Sequence, residues 1–280
     1  MVWITSRVPR IRQPEGPAQL DLSNPLTRGI KAVFNPVGFV PASGTGQGRI
    51  DAAFLNNGTF DRSVGPFGVV VSGVAGGMRY VVGEPFDWNA TNIGSTVLAF
   101  VQVGTLGSAF NAAVSCTPGS DGATPWVGLS DANNFVVSNS NLNATIAAAS
   151  SGQAAVLVGT WFFNGSDQTL EGWINGTKTV STTSSNLGSV SSSQLTVMDY
   201  KVGFNIPWRH GIYLAVAWNR RLTDAEITKI GRNPWQIFTP EIRRAFKAGA
   251  VDFVVKPLSL RVLLAKIPVW LERASHGAAA

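Results

Sequence analysis

The chain is predicted to be mainly β, a double-sheet sandwich or jelly roll. Three observations lead there. Residues 95–103 and 154–163 are near-continuous apolar runs bounded by turn residues, as in strands buried on both faces. Only 14% of residues are charged, against ~25% in an average domain, while Gly, Ser, Thr and Asn are abundant and apolar residues reach 45%. Such a composition suits short strands joined by polar turns. Finally, residues 1–240 contain one convincing helix among several strand-like runs.

Along the chain, residues 1–28 contain Pro9, Pro14, Pro17 and Pro25 with little periodicity and read as an extended arm. Residues 29–36 read as a first strand. Residues 37–94 mix glycines with short apolar pieces at 68–72 and 79–82, which read as short strands between loops. Within 170–180, Asn175-Gly176 is a strong hairpin signal. Residues 194–199 and 211–218 add two more strands. The helix comes next: Thr223 and Glu226 have capping-box spacing, and Leu222 and Ile227 are placed for a hydrophobic staple. Asp224 and Glu226 in its first turn and Lys229 near its last suit the helix dipole. Gly231 is expected to cap its C-terminus and Asn233-Pro234 to stop it. A helix of about two turns cannot stand alone, so it must dock on something large.

Charge is unevenly placed. Residues 1–28 hold four Arg against Glu15 and Asp21, residues 29–240 hold eleven basic and eleven acidic groups, and residues 241–280 hold seven basic against three. The whole net charge of +6 therefore lies in the two ends. A nucleic-acid binder concentrates Lys and Arg on a face of its folded domain; a neutral body with two positive ends suits anchoring to an acidic neighbour, or simple solvation of the ends. The single cysteine, Cys116, excludes an intrachain disulfide and reads as a small buried apolar residue. The N-terminus lacks a signal-peptide pattern, and no run approaches the ~18 apolar residues of a membrane span. Synthesis in a cytoplasm is expected, with neither membrane insertion nor nucleic-acid binding.

Several motifs together carry a resemblance. Thr-Trp-Phe at 160–162, Trp-Ile-Asn-Gly at 173–176, Ala-Val-Ala-Trp-Asn-Arg-Arg-Leu at 215–222 and Thr-Asp-Ala-Glu-Ile at 223–227 resemble, in this order, the concanavalin A-like, laminin-G-type jelly roll. Joined to Ser-Asn-Pro-Leu-Thr-Arg-Gly at 23–29 and Asn-Pro-Trp-Gln-Ile-Phe at 233–238, they are similar to laminin-G-like proteins of tailed bacteriophages and prophages, over roughly residues 21–240. The resemblance implies a virion component: a capsid decoration, a head or tail fibre, or a receptor-binding protein. Residues 243–258 and 263–267, with Lys256-Pro257, are similar to the end of a response-regulator receiver domain. The paired acids and phosphorylatable aspartate that should precede such a piece are lacking, so phosphotransfer is not expected. Leu260, Leu263, Leu264 and Ile267 fall on one helical face, with Arg261 and Lys266 beside it and Pro268 ending it. The expected organisation is an arm at 1–28, a sandwich at 29–240 and a basic, amphipathic strand/helix attachment segment at 241–280.

Catalytic constellations are sparse. The histidines are His210 and His276, and His210 reads as a hydrogen-bonded strand-edge residue rather than a base. Zinc spacing and phosphate-binding loops are lacking. Glycan cleavage would need two facing carboxylates; Glu171 has no second acid at i+2, and Glu84 and Asp87 read as loop. The expectation is therefore no enzyme and no cofactor. For Ca2+, the candidates are Asp121 and Asp131 in Gly/Asn-rich loops, which would equally make Asx turns. For glycan stacking, Trp88, Trp126, Trp173 and Trp208 stand near polar turns, whereas Trp161 and Trp218 read as core. Two functions are compatible with these features. One is a structural virion protein, presented as a homo-oligomer, that docks on neighbouring subunits through Arg7, Arg10, Arg12, Arg243, Arg244, Leu263, Leu264 and Trp270. The other is an adhesin that recognises host surface polysaccharide through its loops.

Overall fold

A computed structural model describes residues 13–14, 18–36, 39–40, 53–56, 59–75, 78–81, 94–107, 111–117, 125–139, 142–185, 194–197 and 210–239. The chain divides after Phe238 into two units, and the sandwich lies in the first, Met1–Phe238. Its first strands are β1 (Ala18–Gln19), β2 (Ile30–Phe34), β3 (Phe39–Val40), β4 (Ala53–Asn56), β5 (Thr59–Gly65), β6 (Gly68–Ala75), β7 (Met78–Val81) and β8 (Ser95–Gln102). Four strands of the central part come next: β9 (Asn111–Thr117), β10 (Pro125–Leu129), β11 (Asn134–Asn139) and β12 (Leu142–Ala148). The rest are β13 (Ala154–Phe163), β14 (Gln168–Ile174), β15 (Thr177–Ser184), β16 (Gln194–Val197), β17 (Gly211–Trp218) and the helix α1 (Asp224–Arg232).

Two antiparallel sheets form the sandwich. The smaller has the order β12-β11-β10-β9-β16. The larger runs β15-β14-β13-β8-β17-β6-β5, with β2 also pairing β17. β17 divides one edge between two neighbours: Gly211 and Ile212 pair with β6, and Ala215 to Trp218 pair with β2. The mainly β, jelly-roll-type expectation holds, and β8, β13, β14, β16 and β17 form where the sequence placed them. The strands β9 to β12 were not anticipated.

Alternation of side chains along each strand creates two apolar layers. Between the sheets, Val97, Leu157, Trp161, Leu170 and Ala215 meet Val114, Val127, Phe135, Val137 and Ile146. The opposite face of the large sheet is apolar as well, with Leu98, Phe100, Val158, Trp173, Leu214, Val216 and Trp218 in a second cluster. Leu20, Leu26, Leu222, Ile227, Ile230, Trp235, Ile237 and Phe238 cover it. This explains why β8, β13 and β17 read as continuous apolar runs: each is buried from both sides. The last part of the segment expected to be an extended arm is therefore packed, because Leu20 and Leu26 are 3% and 4% exposed.

The capping box forms as expected. Thr223 Oγ1 accepts from Glu226 N at 3.3 Å and Thr223 N donates to Glu226 Oε2 at 2.9 Å. Gly231 does not cap the helix; it lies inside it, and Asn233 is the C-cap. Its missing side chain serves packing instead. A Cβ on Gly231 would stand 2.3 Å from Gly176 N and 2.5 Å from Gly176 Cα. Gly176 and Asn175, at φ +81 and +53, form the tight β14–β15 turn predicted from Asn-Gly, so helix and hairpin touch backbone to backbone.

Gly231→Ala must therefore separate α1 from the hairpin. We expect a loss of about 1–3 kcal/mol from overpacking, measured as a lower urea midpoint, whereas Ala225→Gly on the exposed helix face should cost no more than about 1 kcal/mol.

Candidate functional site

The outer face of β13, β14 and β15 beyond the helix carries a polar arrangement. Strand register places Thr160, Glu171 and Ser181 in one row across the sheet and Phe162, Thr169 and Thr183 in the next. Glu171 is 4% exposed, the one buried carboxylate among the described residues. It accepts hydrogen bonds from Thr160 Oγ1 at 3.1 Å, from Lys178 Nζ and from Arg221 Nη2. Lys178 comes from the partner strand of the hairpin, and Arg221 from the link between β17 and α1.

Both cations lie half-exposed at the rim and touch rings. Lys178 Nζ sits 5.1 Å from the Trp173 ring centroid and 3.6 Å from the Asp224 carboxylate. The Arg221 guanidinium lies 5.6 Å from the Phe162 centroid. Burial pushes the Glu171 carboxyl up, but hydrogen bonds from Lys178 and Arg221 and their charges outweigh it, and the net shift is below 4.5. Glu171 is thus an anion near neutral pH, an acceptor rather than a proton donor. Around it lie the hydroxyls of Thr169 and Thr183, 3.1 Å apart, the exposed Ser181 and the half-buried Phe162.

A second assembly joins the ends of the sandwich. Leu20 bridges Phe238, Asp21 N donates to Ile237 O at 2.8 Å, and Asn24 Nδ2 donates to Gln236 O at 2.8 Å. Trp218 Nε1 donates to Leu26 O at 2.7 Å. Arg220 holds Glu226 through its two terminal guanidinium nitrogens, at 2.8 and 2.9 Å, and donates from Nε to Arg28 O and from Nη2 to Pro25 O. The motifs at 23–29 and 233–238 are therefore two halves of one clasp. Further upstream, Gln13 N donates to Phe67 O at 3.0 Å and Gln13 Nε2 to Asn35 Oδ1 at 2.9 Å. Phe67 belongs to a run of ring contacts through Phe100 and Trp235 to Phe238.

His210 is buried, and its Nδ1 accepts from Gly104 N at 2.9 Å. Burial lowers its pKa to about 4, so it is neutral in the fold, as a hydrogen-bonded strand-edge residue requires.

Two of the tryptophans expected to stack on glycans are buried instead. Trp126 is 2% exposed, packed with Ala112 and Val136, and Trp173 is 1% exposed in the cluster beneath α1. Neither offers a ring face to a sugar. Asp131 is exposed beside the β10–β11 turn, and among the described residues no group of three His, Cys, Asp or Glu could hold a metal ion. Trp88, Trp208, Asp121, Arg7, Arg10, Arg12, Arg243, Arg244, Leu263, Leu264 and Trp270 lie outside the described residues. Thr160, Lys178 and Arg221 were not anticipated as partners of Glu171. The usable signal was the Asn175-Gly176 turn, since fixing its register puts Lys178 on the same face as Glu171.

No protein-family description and no curated protein sequence matches this chain. Solved structures similar to it include domain 4 of AbnA, a GH43 extracellular arabinanase from Geobacillus stearothermophilus, in complex with arabinotriose (16% identity, 63% of this chain and 82% of that one, TM-score 0.45). Another is Trypanosoma rangeli sialidase in complex with sialic acid (16% identity, 64% and 30%, TM-score 0.44). A third is the CBM40 of the Ruminococcus gnavus IT-sialidase bound to alpha2,6 sialyllactose (13% identity, 56% and 96%, TM-score 0.40). The match spans about a third of the sialidase chain. The chain is a β-sandwich of the jelly-roll type. The expectation of no enzyme is corrected: the structures similar to the chain include a domain of an arabinanase and a sialidase.

His210 and Glu171, both buried, destabilise the fold as pH falls. His210 contributes a loss between about 6.5 and about 4, because the unfolded chain takes up its proton first. Glu171 contributes stability that is present above 4.5 and is lost as pH drops through its lower folded value. Urea midpoints against pH should show a shallower fall for His210→Asn in the first window and for Glu171→Gln in the second. At pH 7, Glu171→Gln should cost on the order of 1–2 kcal/mol, moderated by solvent at the two cations.

Proposed function

We propose that the chain is a structural component of a tailed-phage virion, a capsid decoration, head fibre or tail fibre protein, with a rigid jelly roll held to neighbouring subunits through its ends. The clasp supports this reading. The two motifs that carry the phage resemblance hydrogen-bond to each other across more than two hundred residues of chain. Gln13 and Phe238, from which the basic ends continue, border one connected set of aromatic rings. The ends carry all of the net charge, so the body is neutral and the attachment is electrostatic, directed at acidic neighbours. Several copies in a symmetric assembly would multiply weak tethers.

Removing residues 1–12, which leaves the clasp intact, or residues 241–280 should abolish incorporation into particles. Normal incorporation of both truncated proteins would sink the reading.

The patch on β13 to β15 favours a second reading, recognition of host surface glycan. A half-buried ring, a row of hydroxyls and two fixed cations are groups that stack on and hydrogen-bond to sugars. A glycan array probed with the whole protein should then give a hit that Phe162→Leu weakens by roughly tenfold, about 1.4 kcal/mol. A blank array would count against it.

A further inference from the structure

The sequence contains three Asn-Gly pairs: Asn57-Gly58, which lies outside the described residues, Asn164-Gly165 and Asn175-Gly176. The second and third share a local sequence, each followed by a hydroxyl residue, and each closes a hairpin of β14. Their surroundings are opposite. Asn164 is exposed at the tip between β13 and β14, and its side-chain oxygen accepts from Ser166 N at 3.0 Å, Asp167 N at 2.7 Å and Ser166 Oγ at 3.2 Å. The Gly165 N–H has no acceptor among the described residues, and Gly165 adopts φ +104, open to a residue without Cβ.

From this geometry we infer that Asn164 is a site of self-catalysed deamidation, and that the fold activates it while protecting Asn175. Gly165 N attacks Asn164 Cγ, forming the new N–C bond and placing negative charge on Oδ1. Two backbone N–H groups already point at that oxygen, the arrangement that stabilises a tetrahedral oxyanion, while the Ser166 hydroxyl is shared between it and Asp167 Oδ2 at 3.2 Å. The Cγ–Nδ2 bond then breaks, the proton of Gly165 N leaves through solvent base, and the amide departs as ammonia with a proton from water. Water opens the cyclic imide at either carbonyl to give aspartate or isoaspartate. No oxidant or reductant is needed.

At Asn175 the same chemistry is blocked. Its Oδ1 accepts one hydrogen bond, from Val156 N at 2.9 Å, and its own N–H is engaged with Val156 O at 2.8 Å. The attacking nitrogen would be Gly176 N, which is pressed against Gly231, and Thr228 O lies 2.6 Å from a Cβ built on Gly176. Helix α1 leaves no room for ring closure. The product at position 164 adds a negative charge beside Asp167, and the isoaspartate form also lengthens the backbone at the tip of the hairpin that carries the polar patch.

The full-length protein would be incubated at pH 8, folded and in urea, and both sites followed by peptide mass spectrometry and isoaspartate detection. In the folded protein Asn164 should convert roughly tenfold or more faster than Asn175, and faster than Asn164 itself does in urea. In urea the two sites should react at similar rates. Equal rates at the two sites in the folded protein would overturn the inference. So would an Asn164 that reacts no faster folded than unfolded, because the donors on Oδ1 would then contribute nothing. Gly165→Ala should slow the reaction at Asn164 alone; unchanged conversion would place the nucleophile elsewhere and overturn it as well.

Discussion

The large sheet is apolar on both faces, and the face turned away from the small sheet has to be covered. Leu98, Phe100, Leu214, Val216 and Trp218 cannot be left in water, since each large apolar side chain is worth ~1.5–3 kcal/mol when buried. The chain meets this constraint with its two end motifs and one short helix. None of these is stable by itself: the helix has nine residues, and the turns at 25–27 and 234–237 are single 3-10 turns. Packed together they become mutually dependent, because Arg220 ties the helix cap to the first motif while Asn24 and Leu20 tie the first motif to the second.

The hairpin β14–β15 is fixed from two directions. At its turn, Gly176 meets Gly231 with no side chain between them, and Asn175 exchanges hydrogen bonds with Val156. Along its length, Glu171 binds Lys178 on the same hairpin and Arg221 at the entrance to the helix. A buried carboxylate between two cations adds more specificity than stability, because its desolvation offsets much of the attraction. Here it links the hairpin to the entrance of α1. The hydroxyl rows of the polar patch are consequently held on a rigid support. The tip is exposed at Asn164 to Ser166 and held by its own Asx turn.

Local features were legible in the residues. The capping box, the Asn-Gly turn and the doubly buried strands depend on neighbours within a few positions, and all three form. The strands β9 to β12 were not legible: Asn111–Thr117 and Leu142–Ala148 are built of Ala, Asn, Ser and Thr with few large apolar residues. Ala144 and Ile146 point into the core while Asn143 and Thr145 face solvent, an alternation too weak in hydrophobic contrast to stand out. Gly231 departs from its expected role as a cap for a related reason. A glycine near a helix end signals a cap, and only the approach of another backbone makes it an interior contact.

The sequence by itself determined the class of the fold, the helix boundary at Thr223, the hairpin at Asn175-Gly176 and the neutrality of the body between two basic ends. Tertiary structure alone decided that Trp126 and Trp173 are core, that Glu171 is clamped by Arg221 from fifty residues away, and that the first and last motifs of the sandwich form one clasp. The division has a physical cause. Caps, turns and charge balance are set by residues adjacent in the chain, whereas burial and ion pairing depend on which distant strands become neighbours, a choice made by the packing of whole faces.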